Sequence, residues 1–175
     1  RLQRDLVGRG AEGLSVLGML YLKAAMAAAA VDDARGTAAM LAQADAAAAR
    51  LGADANALWT AFGPTNVALY RVAAYVRLHD GPAALEASRA VTKARQDALP
   101  RERRAHFLID LAHAFALSNQ REQAIQTLLR AESLAPEEVR NRPHAVQLVQ
   151  ELRLQGSGPL ESRLQMLAQR CGSSV

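Results

Sequence analysis

His106, Asp110 and His113 stand at i, i+4 and i+7, a spacing that puts two imidazoles and a carboxylate on one face of a helix. Those groups are workable ligands for a transition metal. The i to i+7 separation nevertheless sets the two imidazoles about 10 Å apart along the axis, too far for both to reach one ion easily. Contact with a ligand in a groove, and hydrogen bonding at the surface or between repeats, are the readings that stay open. Other chemistry is thinner. The sequence holds no HExxH, no GxSxG and no supported Cys–His pair, and Gly8-Arg9-Gly10 lacks the strand and helix that a phosphate loop needs. A nucleophile and an orienting base are missing at recognisable spacing, so the chain is expected to be no enzyme and to use neither cofactor nor metal. Cys171 is the only cysteine, which excludes an intramolecular disulfide and a Cys-based zinc site and fits a reducing cytoplasm.

The elements that position these residues are expected to be helices. Half of the 175 residues are apolar but only 4% are aromatic, so the core must come from closely spaced helices with small side chains. That length suits one domain over 1–175, with 1–10 as a linker remnant and 172–175 as a tail. A net charge of +4 arises from 21 basic and 17 acidic residues interleaved along the chain, the pattern of a solvated surface and not of a dedicated nucleic-acid face. No uninterrupted apolar run approaches the roughly 20 residues that cross a bilayer, and no signal-peptide pattern opens the chain. The expectation is a cytoplasmic protein without a membrane partner. Arg1 in place of methionine leads to the further expectation of a missing N-terminal region.

Leu108, Leu111, Ala112 and Phe115 fall at i, i+3, i+4 and i+7, and Ala124, Leu128 and Ala131 form a matching stripe that Pro136 terminates. Small residues at Ala112, Ala124 and Ala131 let two helix axes approach to roughly 8–10 Å. This run resembles the packing signature of a tetratricopeptide-type helical hairpin. The spacing recurs in Leu14 to Ala25 with Thr37, Leu41 and Ala44, separated by a break at Asp32 to Gly36. It recurs in Ala68, Val72 and Tyr75 with Ala84, Ser88 and Val91, the second helix running from Pro82 to before Leu99. A fourth pair carries Ala145, Leu148, Val149 and Leu152, then a Gly156–Pro159 turn and a final helix with Leu160, Leu164, Leu167 and Cys171. The expected fold is all-α, a tetratricopeptide-like right-handed solenoid of about four antiparallel helix pairs.

In such a solenoid the first helix of each pair lines a concave groove. Rotation away from the buried stripe assigns His106, Ile109, Asp110 and His113 to it in the third pair, Asn66, Leu69, Tyr70, Ala73 and Arg77 in the second, and Glu12, Ser15, Val16, Met19 and Lys23 in the first. From these, Asn66, Tyr70, Arg77, His106, Asp110 and His113 are the candidate ligand-binding residues. Asn66 as a helix cap and Tyr70 as a core residue are the structural alternatives; Arg71 and Arg77 could hold an anionic ligand group, with pairing to surface acids the expected reading. Trp59 and Phe62 are expected to plug one end of the groove against the core. The Leu160, Leu164 and Leu167 side of the last helix is a candidate interface between copies if it is left uncovered.

Two runs carry a wider resemblance. They are Trp59-Thr60-Ala61-Phe62-Gly63-Pro64-Thr65-Asn66-Val67-Ala68-Leu69-Tyr70-Arg71-Val72 and Leu128-Leu129-Arg130-Ala131-Glu132-Ser133-Leu134-Ala135-Pro136-Glu137-Glu138-Val139-Arg140. Across about Leu14 to Leu154 the chain is similar to the C-terminal region of bacterial helix-turn-helix regulators of the xenobiotic-response-element type. The resemblance implies the sensing or dimerisation domain of a cytoplasmic transcriptional regulator, a homodimer that takes a small-molecule or peptide effector or a protein partner. DNA would be met only through a domain absent from this chain. The alternative is a protein–protein adaptor scaffold with no transcriptional role. Against it, the Lys and Asn clamp of carboxylate-binding adaptors is replaced by Ser15, Leu69 and Ile109.

Overall fold

Apolar residues at three- and four-residue intervals become helices throughout, and the protein is all-α. The structure, a computed structural model, describes residues 6–8, 10–156 and 158–172. Most of the expected linker remnant and tail, and Ser157 of the expected turn, lie outside the described residues. Among the described residues there are ten α-helices, one 3-10 turn and no strand. The chain divides into two compact units, Arg1–His79 with Glu86–Val91, and Asp80–Leu85 with Thr92–Val175.

In the first unit, α1 (Gly10–Ala29) and α2 (Ala34–Leu51) pack as a pair, with α3 (Pro64–Arg77) against both. Leu22, Ala25 and Ala29 of α1 and Leu41, Ala44 and Ala48 of α2 are buried, so alanine supplies the close approach that the spacing predicts. The break between them is shorter than expected. Asp33 caps α2 by accepting from the Gly36 amide at 2.8 Å, which draws Gly36 into the first helical turn. Gly52, at φ 81°, closes α2 in the left-handed conformation, as its position in the sequence leads one to expect. With 20 residues and a mean hydropathy of 1.2, α1 is long and apolar enough to cross a membrane by length and composition. The helix reaches that length because Glu12 and Lys23 interrupt the apolar sequence without interrupting the helix.

The partner helix expected from Pro82 to before Leu99 is broken into α4 (Gly81–Ser88) and α5 (Lys93–Asp97). Amides of Arg89, Ala90 and Val91 tighten onto the carbonyls of Glu86, Ala87 and Ser88, ending α4, and the Thr92 hydroxyl caps α5 by accepting from the Arg95 amide at 3.4 Å.

In the second unit, α6 (Arg101–Leu117) and α7 (Arg121–Leu134) form a hairpin across the short Ser118–Gln120 connection. Ala112, Ala124, Leu128 and Ala131 are fully buried between them, as the spacing predicts, whereas Leu111 and Phe115 are half-buried. Ile109, assigned to a groove by rotation, is instead a core residue with no exposure. The cause is that α6 is covered on more than one side, so a single buried stripe does not describe it. Pro136 lies beyond the end of α7 and also opens a short α8 (Pro136–Arg140), because an imide nitrogen costs nothing in a first helical turn.

The last pair is α9 (Pro143–Leu154) and α10 (Glu161–Arg170). Leu164 and Leu167 are fully buried in the core with Leu148 and Leu152, so the candidate interface on the last helix is withdrawn: its apolar side is already covered. Ion pairs hold it there. Buried Glu132 receives Arg140 at 2.8 Å and Arg170 at 2.6 Å, joining α7, α8 and α10. Arg121 donates to the Leu152 and Gly156 carbonyls and pairs with Glu161 at 2.7 Å, which fixes the turn between α9 and α10.

Candidate functional site

Two faces of α6 carry different chemistry. At roughly 100° per residue, Arg104 and Leu108 point one way while His106, Asp110 and His113 cluster on about the opposite side.

The Arg104 face belongs to a cleft of about 650 Å³. Half-buried Leu134 and the edges of the buried Leu108 and Leu129 give it a small apolar floor, Gln96, Gln126 and Ser133 add neutral polar groups, and Lys93, Arg104, Arg130 and Arg163 bring four cations. Asp97 is the one carboxylate of the lining, and it is spoken for: Lys93 and Arg104 both pair with it, the latter at 3.3 Å. The Lys93 hydrogen bond holds its carboxyl below the usual carboxylate value. Arg130 and Arg163 are exposed and have no ion-pair partner among the described residues. Helix α7 builds its side of the cleft with Gln126, Leu129, Arg130, Ser133 and Leu134, at i, i+3, i+4, i+7 and i+8. This is a second stripe, distinct from the Ala124, Leu128 and Ala131 stripe that faces α6.

The opposite face of α6 meets α8 and the start of α9. His106 bonds Glu138 through its Nε2, and Arg142 bonds the same carboxylate, so Glu138 is held below its ordinary pKa by those two donors. Asp110, half-buried, is pushed up to about 7 by burial, against the pull of Arg142. His113 is driven down to about 4, first by burial and then by His144, whose ring stacks on it with centroids 5.7 Å apart. Burial, Arg142 and His106 also lower His144. The His113 Nε2 is buried with no hydrogen-bond partner among the described residues. Among those residues no three histidine, cysteine, aspartate or glutamate side chains converge on a point that could hold a metal ion. The geometry makes a titrating layer between helices.

The remaining candidates lie in the first unit. Asn66 is buried on α3 and donates from Nδ2 to the Met19 sulfur at 3.2 Å. Tyr70 is half-buried, with the Lys23 ammonium 5.4 Å from its ring centroid. Arg71 pairs with Asp45 at the surface as expected, whereas Arg77, exposed in the last turn of α3, has no acidic partner among the described residues. Asn66, Tyr70 and Arg77 thus belong to one compact unit and His106, Asp110 and His113 to the other.

Phe62 is a fully buried plug, but Trp59 is not: it is 91% exposed. Leu58, Trp59 and Ala61 all adopt positive φ, and in this connector Leu58 and Trp59 are exposed while Phe62 is buried.

No family model, curated protein or solved structure matches this chain. None of the six candidate residues lines the cleft. The signal that could have pointed there is the second stripe of α7, which a search for one buried face per helix passes over.

Proposed function

We propose that this chain is the effector-binding and association domain of a cytoplasmic bacterial transcriptional regulator, acting by binding and not by catalysis. In this reading its hairpins are tetratricopeptide-like, two copies associate, and DNA is contacted only through a helix-turn-helix domain outside these 175 residues. The observation that carries it is the α6–α7 hairpin, whose helices meet through fully buried Ala112, Ala124 and Ala131. Support for the regulator role comes from the resemblance of the Trp59 to Val72 and Leu128 to Arg140 runs to helix-turn-helix regulators. Effector binding would act by favouring one arrangement of the attached DNA-binding heads over another, which needs differential affinity for the two states.

The test is selection of operators from random duplex DNA by the full gene product and by residues 1–175 alone. The expected result is a specific operator for the full product and none for the 175 residues. Specific binding by the shorter chain, or no operator for the longer one, overturns the reading.

A further inference from the structure

Cationic side chains on a protein surface usually have carboxylates near them, and the cleft beside α7 offers two of its arginines none. Its lining holds four cations to one carboxylate, and that carboxylate is already taken by Lys93 and Arg104. Arg130 and Arg163 stand beside a floor made by half-buried Leu134 and the edges of the buried Leu108 and Leu129. Four positive charges disfavour a metal ion or an ammonium ligand there, and the leucines disfavour a purely hydrated anion. A planar guanidinium fork matches an oxyanion with two parallel hydrogen bonds. The volume of about 650 Å³ falls within the roughly 300–1,000 Å³ of small-molecule sites.

We propose that the cleft binds a small amphiphile with one oxyanion head, a carboxylate or a phosphate, held by Arg130 and Arg163 with its apolar body against Leu134 and the edges of Leu108 and Leu129. The assignment rests on the binding role proposed above only in taking the chain to bind an effector. Operator selection tests the regulator role, and ligand titration tests the cleft, so either can fail alone.

The experiment is calorimetric titration of the 175-residue chain with decanoate and with decyl phosphate, each below its micelle concentration. Decyltrimethylammonium, inorganic phosphate and a short polyglutamate peptide are the controls. The expected result is saturable binding of at least one of the two anionic amphiphiles, the tighter identifying the head group, with much weaker binding of every control. In the Arg130→Gln/Arg163→Gln double variant the affinity falls at least about tenfold. Both arginines are exposed, so circular dichroism should show an unchanged fold. Ser133→Glu, which adds a carboxylate inside the cleft, should give the same loss by an independent route. No saturable binding of either anion, unchanged affinity in the double variant, or equally tight binding of the ammonium overturns the proposal. Binding of the polyglutamate peptide but of neither amphiphile also overturns it, in favour of a peptide site.

Discussion

Gly18 and Phe62 occupy one space: a Cβ on Gly18 would lie 2.0 Å from the Phe62 Cζ atom. The ring is fully buried and lies against the backbone of α1, so it has no room to retreat. This contact ties the connector after α2 to the first helix and leaves Trp59, three residues earlier, in solvent.

Gly18→Ala is therefore expected to destabilise the protein by about 1–3 kcal/mol through overpacking, lowering Tm by roughly 2–4 °C per kcal/mol. Phe62→Leu made in the Gly18→Ala background should recover part of that loss. A thermal-melt double-mutant cycle checks both, and additive losses would show that the two positions do not share the space.

Trp59 and Phe62 should separate cleanly. Trp59→Ala is expected to shift stability by less than about 0.5 kcal/mol, the range of exposed positions, and Phe62→Ala to cost about 3–5 kcal/mol. Trp59 is the single tryptophan, so the native protein's fluorescence should be that of a water-exposed indole, quenched by acrylamide nearly as fast as free tryptophan. A blue-shifted, protected emission would contradict its placement.

Glu132 joins three helices, and its removal should be felt mainly above acid pH. Burial opposes its charge, but hydrogen bonds from Arg170 and Arg140 outweigh burial and hold the carboxyl below its ordinary value of 4.5. A depressed carboxylate adds stability above its unfolded pKa and loses it as pH falls through the folded one. Glu132→Gln should cost roughly 1–3 kcal/mol at pH 7, and its gap from the native protein in urea melts should narrow as pH falls below 4.5.

Asp110 and His113, one turn apart on α6, should act in opposite directions. Asp110 titrates at about 7 in the fold against an ordinary 3.8, so the stability present below 3.8 is lost as pH rises through 7. His113 titrates at about 4 against an ordinary 6.5, so the stability present above 6.5 is lost as pH falls through 4. Asp110→Asn should raise Tm relative to the native protein at pH 8 and lose that advantage toward pH 4. His113→Gln should flatten the acid side of the profile. A series of melts from pH 4 to pH 8 decides between these outcomes and a flat response.

Helix content, the alanine-lined α1–α2 and α6–α7 pairs, the Gly52 stop and the shared face of His106, Asp110 and His113 were legible in the residues, because each depends on spacing within one helix. The Thr92 cap that divides α4 from α5 is also local, but a run of apolar spacing masked it. Other features required the fold. Ile109 belongs to the core because α6 is covered on more than one side, and Leu164 and Leu167 are hidden because Glu132 and Arg121 hold α10 and its turn in place. The cleft needs Lys93, Arg104, Arg130 and Arg163, which come from four helices. Periodicity reports which residues of one helix share a face. What that face meets is set by packing between elements far apart in sequence, where burial and ion pairing decide together.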